Sequence, residues 1–409
     1  MARIRAFRGL RPVSRLAQEV SELPYDVVNT QEAREIAGSN ANSFYHVIKP
    51  EIDLPEHTDP YSDEVYEAGR KNLEKLMNDN VLIQDEEPSL YVYTQIMNGR
   101  PQTGLMTCVS IDDYLENRIK KHELTREDKE NDRTRHLDTL NANTGLVFLL
   151  YNEDGTKRAL FEKAQQIEPE YDFTAPDGIT HILRKIDAPE LIQAFTEAFK
   201  NDTLYIADGH HRAASATRVG KMRREANPSY TGDEEYNWFL TVIFPHDQLR
   251  ILSYNRVVSD LNGMEPEDFL KALAKDFTVK KEGVKIPSRQ SCFSMYLSGE
   301  WYTLEPGFSV SDDPIDGLDV KILQDRVLEP ILGIGDIRTD SRINFIGGIR
   351  GTEELERVVD SGAYSLAFSM FPTTVDQLMR VSDNDAIMPP KSTWFEPKLR
   401  SGLVVHLLD

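Results

Sequence analysis

The chain has 409 residues, 40% of them apolar and 28% charged, which is enough to bury a large core and to build two or three domains. A net charge of −21 argues against wrapping around nucleic acid, whose phosphates require a basic stripe. The basic start at residues 1–6 is not followed by an apolar run of signal-peptide or membrane-span length, so a cytoplasmic protein with neither nucleic acid nor membrane as partner is expected. Cys108 and Cys292 lie in strand-like runs and read as small buried apolar groups, because no Cys/His spacing of a metal site surrounds them.

In chain order, Leu23-Pro24-Tyr25-Asp26-Val27-Val28 is a turn that sets Tyr25 and Asp26 on a loop held by Pro24. Two roles stand open there: Tyr25 packs and Asp26 caps the helix expected over 31–37, or both face a site. Residues 39–60 read as loop, and Ser62 is expected to cap an amphipathic helix with Val65, Tyr66, Leu73 and Leu76 on one face. Residues 90–96 and 102–111 around Asn98-Gly99 predict a hairpin, because Asn-Gly accepts the positive dihedrals of a two-residue turn. Thr125, with Asp128 three residues on, has the form of a capping box, so a helix should begin there with His122 and Glu123 just outside it. That helix is polar on nearly every face, which suits either a solvated helix stitched by charge pairs or one lining a polar cavity. His122-Glu123 is not a zinc-peptidase motif, since Arg126 stands where the second histidine is required.

The run 145–151 predicts a central buried strand, 179–186 a further strand carrying His181, and Pro189 starts a helix that leads into a strand over 204–207. There the chain reads Asp208-Gly209-His210-His211-Arg212-Ala213-Ala214, a tight turn that launches a helix of small residues. A helix starting at a sheet edge presents free N–H groups to an anion, Gly209 admits close approach, Arg212 supplies a two-pronged donor and the histidines titrate near neutrality. This is chemistry suited to a phosphate, although each residue alone could be a cap or a surface group.

Beyond it, 238–244 is β-prone, 249–254 is expected to return as the second arm of a hairpin, and 319–332 predicts an amphipathic helix. Near the C-terminus Pro389, Pro390 and Pro397 stiffen a loop holding Lys391, Ser392, Thr393 and Lys398. The loop is either exposed surface or folds over the Asp208 turn, with Lys391, Ser392 and Thr393 touching a phosphate or a substrate carboxylate. Lys391-Ser392-Thr393 lacks the glycines of a Walker loop, and no GxGxxG follows a strand. Alternating strands and helices give an α/β fold class with a mixed α+β sheet.

Taken together, Pro24-Tyr25-Asp26-Val27, His122-Glu123-Leu124-Thr125, Asp132-Arg133, Asp208-Gly209-His210-His211-Arg212 and Met388-Pro389-Pro390-Lys391-Ser392-Thr393 resemble the DUF1015 family across nearly the whole chain. Locally, a His-Glu pair followed by Asp-Gly-His-His-Arg resembles the ParB/sulfiredoxin-like fold, and within it the free serine kinases. The resemblance implies such a core over 110–244, an N-terminal part over 1–109 and a C-terminal elaboration over 245–409. It implies ADP- or ATP-dependent transfer to or from free serine or phosphoserine. Gly209, His210, His211 and Arg212 would hold the nucleotide, Glu123 with His122 would take the hydroxyl proton, and Asp208 would act in catalysis and hold Mg2+. Tyr25, Asp26 and Arg133 would contact substrate or phosphate, and a homodimer is compatible with this. The chain departs from those kinases in the long interval between Glu123 and Asp208 and in its long C-terminal half. Sulfiredoxin's cysteine is replaced by histidine, and the basic helix-turn-helix of ParB is missing. A nucleotide- or metabolite-binding regulator without turnover, or a phosphoserine phosphatase, are the alternatives.

Overall fold

The structure, a computed structural model, describes residues 2–409, which form two compact units. The first runs to Leu249 and takes up the chain again over Pro397–Asp409; the second is Arg250–Glu396. The stretches 1–109 and 110–244 therefore both lie within the first unit.

The first unit is built on a nine-stranded mixed sheet. Its path is Ile119–Lys120, Leu204–Asp208, Val147–Tyr151, Trp238–Pro245, Arg100–Ser110, Leu90–Met97, Thr180–Ile186 and Tyr171–Thr174, with Ile4–Arg5 added along Arg100–Ser110. Two neighbouring pairs run parallel, Leu204–Asp208 with Ile119–Lys120 and Trp238–Pro245 with Val147–Tyr151; the remainder are antiparallel. The expected hairpin is present: Asn98 and Gly99 have φ of 54° and 75°, the left-handed dihedrals that turn Met97 back onto Arg100. Val147–Tyr151 is buried at every position, as a strand flanked on both edges and covered on both faces must be. Leu149, Ile206, Phe239 and Ile243 form one core with Phe195 and Phe199 of the Pro189–Phe199 helix. Leu10, Phe44, Tyr45, Leu73 and Leu140 form a second, helical core in the same unit.

Three local expectations change. The Thr30–Ala37 helix is capped by Asn29, whose side chain and that of Glu32 exchange bonds with each other's backbone N–H, so Asp26 is not its cap. The polar helix spans Glu127–Leu140 and no capping box forms at Thr125, whose hydroxyl donates to Glu130 at 2.8 Å. Arg126 instead holds the cap position in extended backbone, where its N–H donates to His211 Nε2 at 3.0 Å. Finally, 249–254 does not return along Trp238–Pro245, because both edges of that strand are already taken by Arg100–Ser110 and Val147–Tyr151. The next strand, Tyr254–Val258, belongs to the second unit.

That unit holds a six-stranded antiparallel sheet in the order Phe277–Lys281, Glu300–Pro306, Phe293–Leu297, Leu366–Met370, Tyr254–Val258 and Ile343–Gly347. Leu355 and Val358 of the Gly351–Asp360 helix pack on Val257, Tyr296, Trp301 and Ala367. The helix expected over 319–332 is shorter, Asp319–Leu323, and widens into a π turn over Gln324–Leu328. Both cysteines are buried and free. No helix among the described residues is long and apolar enough to cross a membrane.

Two imidazoles of the first unit are locked in the interior. His136 Nε2 donates to the Val47 carbonyl at 2.9 Å, and burial lowers its pKa to about 3. His181 accepts from Arg400 at Nε2 and so donates from Nδ1 to the Tyr93 oxygen at 2.7 Å; burial, with Arg400 adding to it, lowers it to about 3. Both are neutral when folded and bind protons near pH 6.5 when unfolded, so the unfolded state gains protons first as pH falls. These two imidazoles should therefore withdraw stability from about pH 6.5 downward, by up to about 1.4 kcal/mol per pH unit for each until the folded values are reached, while Glu22 and Asp319, which burial raises to about 7, add stability over the same range. Urea unfolding of the wild type and of His181→Gln at pH 7.5 and 5.0 isolates the histidine contribution: the variant should lose less stability than the wild type between the two values, and an equal change in both would exclude it.

Candidate functional site

The site is assembled where the Leu204–Asp208 strand becomes the His210–Ala226 helix. Ile206 pairs with Leu149 but Asp208 pairs with Phe148, so Ala207 is the extra, unpaired residue of a bulge just before the turn. Gly209 follows at φ 93°, a left-handed conformation natural only to glycine, and starts the helix. The first-turn N–H groups have no acceptor within the helix.

Arg212 is the central side chain. It is 9% exposed and lines the interior with Nη1 donating to the Leu146 carbonyl and Nη2 lying 3.4 Å from Asp26 and 3.7 Å from Asp208. Burial works against its charge, yet Asp26 and Asp208 hold its pKa above the ordinary arginine value. Glycine makes the slot that it occupies. A Cβ on Gly209 would stand 3.2 Å from Arg212 Cζ and Nε, and one on Gly145 would stand 3.1 Å from its Cδ.

Asp208, with 32% of its side chain exposed, is engaged through both oxygens: Oδ1 accepts the Gly209 N–H at 2.9 Å, and Oδ2 faces Lys398 Nζ at 3.4 Å as well as Arg212. Burial alone would raise its pKa, but Lys398 and then Arg212 outweigh that and hold it well below the usual carboxylate range. Lys398 and Arg212 already neutralise this carboxylate, so a divalent cation placed on it would meet two positive neighbours. The carboxylate's present partners are these cations.

Beside the turn, His122 and His210 meet edge to face with ring centroids 4.5 Å apart and planes at 88°. They are 2% and 5% exposed. Neither nitrogen of His122 has a hydrogen-bond partner, nor does Nε2 of His210. Burial lowers His122 to about 4, and burial followed by the neighbouring His122 lowers His210 well below its ordinary value, so both are neutral. The 3.8 Å approach of Glu123 Oε2 to His210 Nδ1 is thus a contact with a neutral ring and not an ion pair. Glu123 itself is 43% exposed. A buried polar group without a partner costs on the order of 1–3 kcal/mol, which makes this pair an expensive arrangement in the bare protein. His211 is set apart from it, accepting the Arg126 N–H, with burial lowering its pKa.

On the other side of Arg212 lies a partly open pocket walled by Tyr25, Arg133, His136, Asn143, Gly145, Arg212 and Ser215 among others. Arg133 is clamped by Asp132, with Nη2–Oδ2 at 2.8 Å, and lies over the Tyr25 ring at 4.1 Å. Asp132 in turn accepts from Tyr66 at 2.9 Å, so the clamp is itself held. The polar Glu127–Leu140 helix is packed between the Asp63–Asn78 helix and the His210–Ala226 helix, and it lines this cavity with Arg133, His136 and Leu137. Both expected settings are found: one face of the helix lines the pocket, and the other is solvated, with Arg135 paired to Asp63 and Asp138 to Arg223.

The first unit therefore brings together Tyr25, Asp26, His122, Glu123, Arg133, Asp208, Gly209, His210, His211 and Arg212. Lys391, Ser392 and Thr393 belong to the second unit. There Lys391 Nζ sits 5.6 Å from the centre of the Tyr254 ring, the Ser392 hydroxyl donates to the Pro389 carbonyl at 2.6 Å, and the Lys391 carbonyl accepts from Arg256 at 2.9 Å. Lys398, Gly145 and the buried contact between His122 and His210 were missed as site features. Lys398 stood in the quoted proline-rich motif, but nothing in its spacing tied it to Asp208.

A family model described as "Protein of unknown function (DUF1015)" matches residues 4–321. The chain belongs to the DUF1015 family. No curated protein matches it. Among solved structures, this DUF1015 chain is similar to a free serine kinase variant in complex with AMP, at 12% identity and a TM-score of 0.37, over 73% of this chain and 92% of that one. It is similar to a conserved hypothetical protein from Pyrococcus furiosus at 12% identity and a TM-score of 0.36, over 74% and 95% of the two chains. It is also similar to SbnI with a C-terminal truncation from Staphylococcus aureus, at 10% identity and a TM-score of 0.41, over 74% and 87%.

The glycine slot around Arg212 can be tested from both sides. Gly209→Ala adds a left-handed non-glycine residue and a 3.2 Å contact, and should cost about 1–3 kcal/mol of stability in urea unfolding. Gly145→Ala has no unusual dihedral and acts only through the 3.1 Å contact, so it should shift Arg212 at a smaller cost. Equal and negligible costs would show that Arg212 yields freely and that the slot is not tight.

Proposed function

We propose that this protein transfers a phosphoryl group between an adenine nucleotide and a small hydroxylated metabolite of the serine/phosphoserine class. The observation that carries this reading is the pair of guanidinium groups, Arg133 and Arg212, on the wall of one pocket beside a glycine-initiated helix. Two planar donor forks and free first-turn N–H groups suit the phosphate oxygens of a nucleotide. The motif resemblance supplies the substrate class.

In this reading Arg212, held in place by the Leu146 carbonyl and Asp26, and Arg133, held by Asp132, stabilise charge on the transferred group. Lys398 stands ready beside Asp208 as a third cation. Glu123 is the carboxylate that takes the substrate hydroxyl proton, exposed enough to meet a ligand and one contact away from the turn. Mg2+ accompanying the nucleotide would neutralise phosphate charge, with Asp208 the carboxylate at the turn that would hold it.

Calorimetry with ADP and ATP in the presence of magnesium tests the reading first. Binding in the micromolar to millimolar range is expected, and Arg133→Ala should weaken it by about 10- to 150-fold, the loss of roughly 1.5–3 kcal/mol from one charged contact. Glu123→Gln should keep nucleotide affinity within about threefold while removing at least about 100-fold of transfer to serine. Absence of binding by both nucleotides at millimolar concentration sinks the proposal.

A further inference from the structure

The interaction of His122 with His210 remains unexplained by phosphoryl transfer. A nucleotide needs donors, and these two neutral rings do not offer a positive charge. Each is more than nine-tenths buried, three of their four nitrogens lack a partner, and the fourth, His210 Nδ1, faces Glu123 at 3.8 Å. Apolar side chains would fill the same space without leaving bare nitrogens. Among the described residues, His122, Glu123 and His210 are the group whose ligand atoms converge, all within 4.8 Å of one another.

We infer that His122, Glu123 and His210 form a binding site for a divalent first-row transition-metal ion. Two imidazole nitrogens and one carboxylate oxygen are the donor set of open, three-ligand protein metal sites, in which a remaining position is left for water or substrate. Bond lengths of about 2.0–2.2 Å bring ligand atoms on a shared ion to roughly 3–3.5 Å apart, so side-chain rotations that close the widest pair by up to about 1.3–1.8 Å would complete the site. Imidazole donors favour zinc, iron, cobalt or nickel over magnesium, which prefers oxygen donors throughout. The ligands come from two places: His122 and Glu123 from the segment before the polar helix, His210 from the first turn of the helix after Gly209. The ion would bridge these two elements and satisfy a nitrogen on each ring. Its binding does not depend on the nucleotide reading, because it requires only these three side chains.

The site is distinct from Asp208, whose oxygens face Lys398, Arg212 and the Gly209 N–H. It also gives Glu123 a second role, as an ion's ligand through one oxygen.

The test uses the full chain without nucleotide. Protein purified without chelator is analysed for metals by mass spectrometry, then stripped and titrated with Zn2+ against a chromophoric chelator. About one equivalent of metal per chain is expected, with Zn2+ affinity unchanged by millimolar Mg2+. His122→Ala and His210→Ala should each weaken Zn2+ binding by at least about 100-fold, beyond the roughly 10- to 100-fold that loss of an outer partner costs, while the exposed His57→Ala should leave it unchanged. Should a histidine variant fail to fold, Co2+ added to the stripped wild type gives an independent reading, since a nitrogen-rich site produces visible ligand-field bands that Zn2+ abolishes. Substoichiometric binding, equal loss in the His57 variant, or Co2+ spectra identical to the hydrated ion would each overturn the site. Nucleotide calorimetry on stripped protein separates this outcome from the fate of the phosphoryl-transfer reading.

Discussion

A charged guanidinium in a dry interior is the constraint on which the first unit depends. Arg212 cannot shed its proton, so the fold must bring anions to it, and it does so from separate parts of the chain: Asp26 from an N-terminal loop, Asp208 from its own helix entry, and the Leu146 carbonyl from the lead into a central strand. An unpaired buried arginine would cost several kcal/mol, roughly as much as a domain's whole margin of stability. The loops that carry these partners are therefore fixed as firmly as the sheet. The same demand explains why glycine stands at 145 and 209, since a side chain at 209 would press on the guanidinium and one at 145 on the methylene stem of Arg212.

The charge arrangement around this group is alternating. Asp208 lies between Arg212 and Lys398, and Asp132 between Tyr66 and Arg133, so each cation that could meet a ligand is backed by a carboxylate on its far side. In a chain with a net charge of −21, this concentrates donors in one place without leaving them to repel each other. Backed guanidinium groups also keep their rotamers, which is what an incoming anion needs in order to be bound in one orientation.

Much of this fold was legible in local chemistry. Asn98-Gly99 announced its hairpin, the apolar run before Tyr151 its buried strand, and Asp208-Gly209 its strand-to-helix turn, because in each case a backbone dihedral or an unbroken apolar run decides the matter within a few residues. What could not be read was competition between distant segments. Residues 249–254 had strand character but no free edge to join, and Asp26 lost its capping role to Asn29 while gaining Arg212, which is 186 positions away. Gly209 was expected to let a ligand approach; the room it makes is occupied by the protein's own arginine. The pairing of His122 with His210 across 88 positions left no trace in spacing, since nothing local to either histidine specifies the other.

The division of the first unit into two chain segments has a consequence for biogenesis. Arg250–Glu396 intervenes before Pro397–Asp409 rejoins the earlier residues, pairing His406–Leu407 with Ala142–Asn143, Val405 with Leu10, and Ser401 with Glu22. On the ribosome, the nine-stranded sheet can collapse long before Lys398 is synthesised, leaving Asp208 with Arg212 alone. The positive side of the site is completed last, after an entire second unit has been translated, so the nascent protein passes through a stage with its sheet in place and its charge pattern unfinished.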